Sequence, residues 1–129
     1  MIYVNELKIG NYIESITLGE VIVSGIIKDD KGFYVIQCEC GNETVPEECF
    51  GVKLTHKKLI QFGFKEYDSN NTFSKYGIWG GGEITHTLLS SENGSRIVYP
   101  NRYGAIKLEF AHELQNLMYS LEKRELKYI

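Results

Sequence analysis

Glu20–Ile27 (EVIVSGII) and Gly32–Cys40 (GFYVIQCEC) stand on either side of the polar run Asp29-Asp30-Lys31. β-Branched and aromatic residues favour extended strands, and a polar run that ends in glycine is typical of a tight turn. The stretch therefore predicts a β-hairpin. Thr44-Val45 and Cys49–Leu54 predict further short strands, so we expect the amino-terminal part to form a curled antiparallel β-sheet or a small, partly open barrel.

The length and composition are those of one globular domain. The chain has 129 residues, of which 43% are hydrophobic and 24% are charged, and a chain of this kind buries a core without covalent staples. Disordered, collagen-like, coiled-coil and disulfide-scaffold classes are excluded. We expect a single domain over residues 1–129, with a β-rich part at 1–54 and a helix, strands and a terminal helix at 55–129.

The hydrophobic period changes after residue 54. Thr55 is a good N-cap, because its hydroxyl accepts a hydrogen bond from a backbone N–H in the first helical turn, and Gly63 fits the position that ends a short helix. Leu59, Ile60 and Phe62 lie between them at helical spacing. Beyond this middle helix, β-rich runs predict a second antiparallel segment at Phe64–Tyr67, Thr72–Trp79, Glu83–Leu89, Arg96–Tyr99 and Ala105–Phe110.

The clearest helix lies near the carboxyl end of the chain. Leu114, Leu117, Met118 and Leu121 recur at positions i, i+3, i+4 and i+7, which places them on one apolar stripe. We expect this helix to pack through that stripe on the second set of strands. Strands followed by a terminal packing helix define an α+β fold class.

Nothing in the sequence indicates export or a membrane. Met1–Gly10 lacks the basic and apolar regions of a secretory signal, and the apolar run Val21–Ile27 is far shorter than the roughly 20 residues of a membrane-spanning helix. We expect a cytoplasmic protein with no membrane partner. The net charge of −3 gives no overall positive field, so nucleic acid is not an expected partner.

Three segments together resemble a known group of proteins. They are Asn5–Asn11 (NELKIGN), Leu54–Phe64 with its LIQFGF end, and His112–Leu117 (HELQNL). Their order and spacing resemble short proteins carried by phages and mobile elements of gut Bacteroidetes, which open with ELRIGN, have a PLT…LLKFGF helix and finish with HELQNLYFAL. Gly51-Val52-Lys53 stands in place of that family's Pro-Ile-Pro, and Glu122-Lys123 in place of its Thr-Gly.

The resemblance covers the whole chain and implies a biological context. It implies a small phage-type accessory protein in the cytosol of a host cell, acting by binding and blunting a host defence. The family brings no established catalytic residues. Its shared segments have structural roles as a chain start, a capped helix and a packing helix.

The cysteines do not have the spacing of a metal site. Cys38, Cys40 and Cys49, with His56, offer donor atoms that zinc accepts. Structural zinc sites favour ligand pairs two to four residues apart, whereas one residue separates Cys38 from Cys40 and Cys49 stands alone. On a strand Cys38 and Cys40 share one face, and three cysteines do not make a disulfide framework. We expect buried or free thiols, no metal and no cofactor.

No catalytic pattern surrounds the histidines His56, His86 and His112. Nucleophile-elbow, zinc-protease and Walker sequences are absent from the chain. The run Gly77–Gly82 fits the dinucleotide-binding fingerprint poorly, because its second glycine is missing and no helix follows. It predicts a hairpin tip, and we expect a protein that is not an enzyme.

The segment Ser95–Gly104 interleaves arginine with tyrosine in an otherwise acidic protein. Arginine grips phosphate through parallel hydrogen bonds, and a tyrosine ring offers a face on which a base stacks. Pro100 and Gly104 predict a loop between strands, where binding residues usually lie. The candidate ligand-binding residues are Arg96, Tyr99, Arg102 and Tyr103, with a second cation–aromatic cluster at Lys75, Tyr76 and Trp79.

These patterns favour a non-enzymatic accessory protein that binds and sequesters a small nucleotide-derived host defence signal. The alternative is an adaptor or inhibitor that binds a host protein, because arginine and tyrosine are also enriched at protein interfaces. The third candidate function is an enzyme that degrades a defence molecule. For the Ser95–Gly104 segment itself, a solvated surface without a partner is a further interpretation. With 12% aromatic residues, the chain is also expected to form a homo-oligomer, most simply a two-fold dimer.

Alanine substitutions at Arg96 and Arg102 test the segment. Loss of one charge-assisted phosphate contact is expected to weaken ligand binding by roughly 1.5–3 kcal/mol, about ten- to a hundredfold. Exposed arginines should leave stability almost unchanged. Calorimetry and thermal shift on Arg96→Ala and Arg102→Ala measure the two effects. Unchanged affinity in both variants would exclude the segment, and a large fall in melting temperature would assign that arginine a structural role.

Overall fold

The computed structural model describes residues 1–69, 73–80, 83–91, 96–101, 104–123 and 125–128. Over these residues the fold is α+β, as the sequence predicts, with antiparallel sheets and a carboxy-terminal helix. In chain order the elements are β1 Tyr12–Ser15, β2 Gly19–Lys28, β3 Tyr34–Cys38, β4 Glu43–Thr44, β5 Cys49–Gly51, α1 His56–Gln61, β6 Lys65–Ser69, β7 Phe73–Gly80, β8 Glu83–Ser91, β9 Ile97–Asn101, β10 Gly104–Leu108 and α2 Ala111–Glu122.

The chain forms two compact units. The first comprises Met1–Lys53 and Phe110–Leu126, and the second comprises Leu54–Glu109 and Lys127–Ile129. The boundary after residue 53 lies within one residue of the predicted change in hydrophobic period. Folding as a single domain stays a prediction, because compactness of each unit does not say whether the two unfold together. Neither α1 nor α2 is long and apolar enough to cross a membrane, as far as the described residues extend.

The first unit is built on a five-stranded antiparallel sheet with the strand order β4-β3-β2-β1-β5. The sheet is antiparallel, as the sequence predicts, and it is not closed into a barrel. Its core contains the fully buried side chains of Ile13, Val23 and Ile36. These side chains lie on β1, β2 and β3, so neighbouring strands contribute to one apolar layer.

The predicted hairpin joins β2 to β3. Ile26 pairs with Ile36 and Ile27 with Val35. The Asp29 carboxylate accepts hydrogen bonds from the backbone N–H groups of Lys31 and Phe33, at 2.9 and 2.8 Å. A short acidic side chain therefore holds the turn closed, which is why aspartate is common at such positions.

The cysteine prediction needs one correction. The sequence predicts that Cys38 and Cys40 share one face of a strand, but β3 ends at Cys38, and Cys38 is buried while Cys40 is exposed. The chain turns at once through Gly41, whose φ of 89° favours glycine. The turn breaks the alternation on which the prediction depended.

The second unit is built on a five-stranded antiparallel sheet with the order β10-β9-β8-β7-β6. One face of this sheet is buried, and the register places Tyr76 opposite Leu88, Ser90 opposite Ile97, and Ile97 opposite Leu108. The strands agree with the predicted runs to within a few residues. Pairing of Gly80 with Glu83 makes the glycine run a hairpin, although Gly81 and Gly82 themselves lie outside the described residues.

The middle helix α1 begins and ends as predicted. The Thr55 hydroxyl accepts a hydrogen bond from the Lys58 N–H at 3.2 Å. Gly63 follows the helix with a φ of 94°, a conformation in which a side chain is strained. Leu59 and Phe62 are buried, and the Phe62 ring lies 4.7 Å from the ring of Tyr128.

The prediction that the terminal helix packs on the second set of strands is wrong. Helix α2 belongs to the first unit and contacts β1. The Ala111 N–H donates to the Val52 carbonyl at 2.8 Å, and Phe110 bridges to Lys53. Phe110 also covers Gly51, where a Cβ atom would approach its ring to 2.4 Å, so the approach of the helix requires glycine there.

The buried face of α2 also differs from the predicted apolar stripe. Its buried residues are Ala111, His112, Leu114, Gln115 and Met118. Of the four predicted apolar positions, Leu114 and Met118 are buried, Leu117 is half-buried and Leu121 is exposed. The stripe is rotated because a polar residue, Gln115, occupies its centre.

Gln115 bonds to three backbone segments of the first unit. Its amide nitrogen donates to the carbonyls of Gly10 and Leu126, and its amide oxygen accepts from the Tyr12 N–H, all at 2.9 Å. The buried amide thus uses both donors and an acceptor. It connects the start of β1, the helix and the segment that follows the helix.

Replacement of Gln115 by methionine is expected to destabilise the protein strongly. Methionine matches the side chain in length but leaves three backbone groups unpaired, two of them in buried bonds, and a buried unpaired group costs about 1–3 kcal/mol. We expect the free energy of unfolding to fall by roughly 3 kcal/mol or more, measured by urea denaturation.

Gln61→Met is the matched control. The Gln61 side-chain oxygen is buried without a hydrogen-bond partner among the described residues, so its loss should cost less than about 1 kcal/mol. Equal losses in the two variants would contradict the role assigned to Gln115.

Candidate functional site

The predicted arginine–tyrosine segment is only partly described by the structure. Tyr99 lies half-buried on β9, and its hydroxyl is 3.1 Å from Nδ1 of His86. Arg96 is exposed immediately before β9, and its carbonyl accepts from the Ser91 N–H at 2.8 Å. Arg102 and Tyr103, the other two predicted ligand contacts, lie outside the described residues.

Strand alternation separates the two described members of this segment. Tyr99 is two residues after Ile97 and shares its face of the sheet, which is the buried face. Arg96 is three residues before Tyr99 and so falls on the opposite face. The structure also contains Pro100 within β9 rather than in the predicted loop. The two described side chains therefore lie on opposite faces, and the ligand-binding role of the segment stays a prediction.

In the second predicted cluster, the structure describes the side chain of Tyr76. Tyr76 is 1% exposed, and its hydroxyl contacts Nδ1 of His56, the first residue of α1. The structure places Tyr76 in the core of the second unit, whereas the sequence predicts a ring that faces a ligand. The side chains of Lys75 and Trp79 lie outside the described part of the molecule.

The first unit contains a pocket that sequence analysis does not predict. Its volume is about 230 Å³. Asn11, Gln115 and Asn116 contribute amide groups to its wall, and Lys8, Tyr119 and Glu125 contribute a cation, an aromatic ring and a carboxylate. The remaining lining residues are Ile9, Gly10 and Leu126.

Hydrogen bonds fix the amide wall of this pocket. The Asn11 amide nitrogen donates to the Asn116 amide oxygen at 2.9 Å, and the Asn116 nitrogen donates to the Glu6 carbonyl at 2.8 Å. The Asn11 oxygen accepts from the Lys8 N–H at 2.8 Å. Together with Gln115, these bonds preorganise the wall, so a ligand would bind to side chains already held in place.

A cation–aromatic cluster lies on the same side of the unit. The Lys8 ammonium is 4.9 Å from the centre of the Tyr119 ring, and the Lys123 ammonium is 5.9 Å from it. The ring is 39% exposed, so a flat ligand can reach it. Lys123 ends α2 in the left-handed conformation, with φ 56°, and the chain then turns so that Glu125 and Leu126 line the pocket.

The structure therefore brings a lysine and a tyrosine together in the first unit, away from the two clusters that the sequence predicts. Lys8 and Tyr119 are more than a hundred residues apart in the chain, and no local pattern connects them. The sequence contains one indication that these regions are related. Asn5–Asn11 and His112–Leu117 are two of the three segments that carry the family resemblance. The structure brings these two segments together through Asn11 and Asn116.

Cys38 and Cys49 are buried thiols of the first unit. Burial raises the pKa of the Cys38 thiol and of the Cys49 thiol, which disfavours the nucleophilic thiolate. Cys49 Sγ lies 3.6 Å from the Thr44 hydroxyl. Within the described ranges, no three histidine, cysteine or acidic residues stand together as a metal ion would need.

His112 is a buried histidine at the start of α2. It is 2% exposed and stacks on the Phe110 ring, with centroids 5.7 Å apart. Its Nδ1 has no hydrogen-bond partner within the described structure. Burial lowers the pKa of His112, against the opposing effect of the Glu113 and Glu6 carboxylates. A neutral, inward-facing ring supports packing rather than proton transfer.

Comparisons of the chain with family models, with curated proteins and with solved structures find no match.

The buried His112 should make stability fall at acid pH. Because its pKa is lowered in the folded state, the unfolded chain binds a proton first, and stability is lost as the pH falls below about 6.5, the ordinary histidine value. Urea unfolding should give a lower free energy at about pH 5.5 than at about pH 7.5.

His112→Phe keeps the stacking on Phe110 and removes the titration, so the difference between the two pH values should shrink. His56→Gln, at an exposed histidine, is the control and should keep the original difference. An undiminished pH dependence in His112→Phe would contradict the assignment.

Proposed function

We propose that the protein is a non-enzymatic binding protein that sequesters a small nucleotide-derived molecule in the pocket of its first unit. Following the resemblance to phage-carried proteins, we propose that this molecule is a host defence signal and that binding occurs in the host cytosol. The observation that carries the proposal is the pocket of about 230 Å³ with Lys8, Tyr119 and Glu125 at a preorganised amide wall.

The charges and the ring around the pocket suit the parts of a nucleotide. The Lys8 and Lys123 ammonium groups, both near Tyr119, provide cations for a phosphate. The exposed Tyr119 ring provides a stacking face for a base. The Glu125 carboxylate accepts hydrogen bonds from sugar hydroxyls or from an exocyclic amino group. A ligand that combines an anion, a ring and hydrogen-bond donors would contact the ammonium groups, the tyrosine ring and the carboxylate.

The size of the pocket favours one ring system over a long ligand. Pockets that enclose drug-sized molecules typically have about 300–1,000 Å³, and this one is smaller. A single base with its sugar fits that scale, and the phosphate then lies at the rim, where lysine side chains reach it. Lysine suits this role because its flexible stem lets the ammonium move from the ring to a bound anion.

The described histidines favour binding over catalysis. His86 contacts the Tyr99 hydroxyl, His56 contacts the buried Tyr76, and His112 is held neutral in the interior. The pocket is lined by none of them.

A second candidate function is the binding of a host protein. The β2–β3 hairpin exposes Ile27, Phe33 and Tyr34, and Phe33 is 65% exposed. Large apolar and aromatic side chains grouped at the surface are typical of protein interfaces. Phe33 and Tyr34 would then contact the partner, and the pocket would have no role.

One recovery experiment separates these functions. The protein is incubated with a mixture of mononucleotides, cyclic mononucleotides and cyclic dinucleotides, passed over a desalting column, and denatured to release what it holds. Intact recovery of a retained nucleotide supports sequestration. Chemically altered nucleotides would indicate an enzyme, and no retention would leave the protein-binding candidate.

Lys8→Ala and Tyr119→Ala are expected to weaken binding of the retained nucleotide. Loss of a charge-assisted contact or of a stacking ring costs roughly 1–3 kcal/mol, about five- to a hundredfold in affinity. Titration calorimetry measures the change, and unfolding curves show that each variant is folded.

Lys31→Ala and Arg96→Ala are the controls. Lys31 is an exposed lysine in the β2–β3 turn, so its loss should not change the affinity. A loss of affinity in Arg96→Ala with none in Lys8→Ala would move the ligand to the arginine–tyrosine segment. Unchanged affinity in all the variants would exclude both places.

A further inference from the structure

Three of the four edge strands in the described sheets carry features that prevent pairing with another strand. β4 has two residues and β5 has three, which is too short for a stable ladder. β6 carries Lys65, Glu66 and Asp68 and has a register irregularity between Glu66 and Asp68. Short length, charge and bulges are the usual protection of sheet edges.

The remaining edge, β10, lacks these features over its described length. It has five residues, Gly104–Leu108, and pairs with β9 in unbroken register. Lys107 is its single charged residue, and its first four residues are exposed. Ile106 is 40% exposed. A regular strand of this kind is a template for a further strand.

The backbone groups of β10 that face away from β9 follow from the ladder. Arg96 accepts from the Ser91 N–H, so its backbone points toward β8. Alternation along an antiparallel strand then directs Ile97 and Tyr99 toward β10. Their partners in β10 are Leu108 and Ile106.

It follows that Ala105 and Lys107 direct their N–H and C=O groups outward, because they alternate with the residues that bond to β9. These outward groups are available to an added strand over Gly104–Leu108 only, because beyond β10 the Glu109 carbonyl already accepts a hydrogen bond from the Leu54 N–H at 2.9 Å. Lys107 and Ala105 are both exposed, so a second chain can reach the backbone on that side.

We propose that two copies of this chain pair antiparallel through β10 about a two-fold axis at Ile106. In this register Ala105 of each copy lies opposite Lys107 of the other, and their outward backbone groups exchange hydrogen bonds. Each lysine faces an alanine, so no like charges are opposed. A two-fold axis at Lys107 would instead place the two ammonium groups directly opposite each other.

The side chains at the axis also suit a second copy. Ile106 faces Ile106 in a non-hydrogen-bonded pair, the type in which opposed side chains are closest. Ile106 lies opposite Tyr99 within its own sheet. The pairing therefore buries the two isoleucines between Tyr99 of one copy and Tyr99 of the other. The second-unit sheet of one copy and the second-unit sheet of the other then form one continuous sheet across the axis.

Light scattering after size-exclusion chromatography tests the pairing. The unchanged protein is expected to elute at twice the 14.8 kDa monomer mass at high micromolar concentration. Ile106→Lys opposes two charges at the axis and should shift the protein to monomer over the same range. A monomer at every concentration for the unchanged protein would overturn the proposal.

Two matched variants separate this interface from others. Tyr67→Lys makes the same kind of change on the protected edge β6, where Tyr67 is also exposed, and should leave the dimer intact. Lys107→Glu reverses a charge that faces alanine and should leave it intact as well. A dimer that resists Ile106→Lys, or one lost in Tyr67→Lys, would contradict pairing through β10.

A cross-link tests the register. In a Cys40→Ser background, which removes the exposed native thiol, Ile106→Cys places two thiols across the axis at about 4.5 Å between Cα atoms, within disulfide range. Diamide should oxidise this variant to a covalent dimer on a non-reducing gel. Lys107→Cys should cross-link poorly, and equal yields from the two variants would overturn the register.

Discussion

The carboxamide of Gln115 is the contact on which the first unit depends. Its hydrogen bonds to Gly10, Tyr12 and Leu126 join the start of the chain to the segment after α2, and Leu54–Glu109 of the second unit lie between them in the sequence. A buried amide with every strong bond satisfied adds specificity, because other packings leave it unpaired. The helix therefore has one orientation on β1, and the segment after it has one path. The pocket exists because that path brings Glu125 and Leu126 back toward Lys8.

This arrangement explains how an acidic protein presents a site with cations. The two ammonium groups near Tyr119 come from Lys8, before β1, and from Lys123, at the end of α2. Neither stands in a basic run, and the net charge of the chain is −3. In the proposed function, this local cluster provides the cations for a small phosphate-bearing molecule without the extended positive surface that nucleic acid requires.

The second unit uses its sheet differently. Its buried side chains include Tyr76, Leu88 and Ile97, and the Tyr76 hydroxyl contacts His56 of α1. The same ladder that places Arg96 and Tyr99 on opposite faces directs the backbone of Ala105 and Lys107 outward. The proposed pairing of two copies through β10 depends on this register.

The sequence by itself determined the elements whose signals are local. The Asp29 turn, the Thr55 cap, the Gly63 end and the strands of both sheets depend on neighbours a few residues away, and period and capping preferences are sufficient to predict them. Tertiary structure decided which sheet α2 covers, because the buried stripe of the helix passes through the polar Gln115 and hydropathy alone points to Leu117 and Leu121. Tertiary structure also decided where the candidate site lies. Lys8, Tyr119 and Glu125 meet only after the chain has closed on itself, and the amides that hold them bond to backbone groups that no sequence pattern identifies.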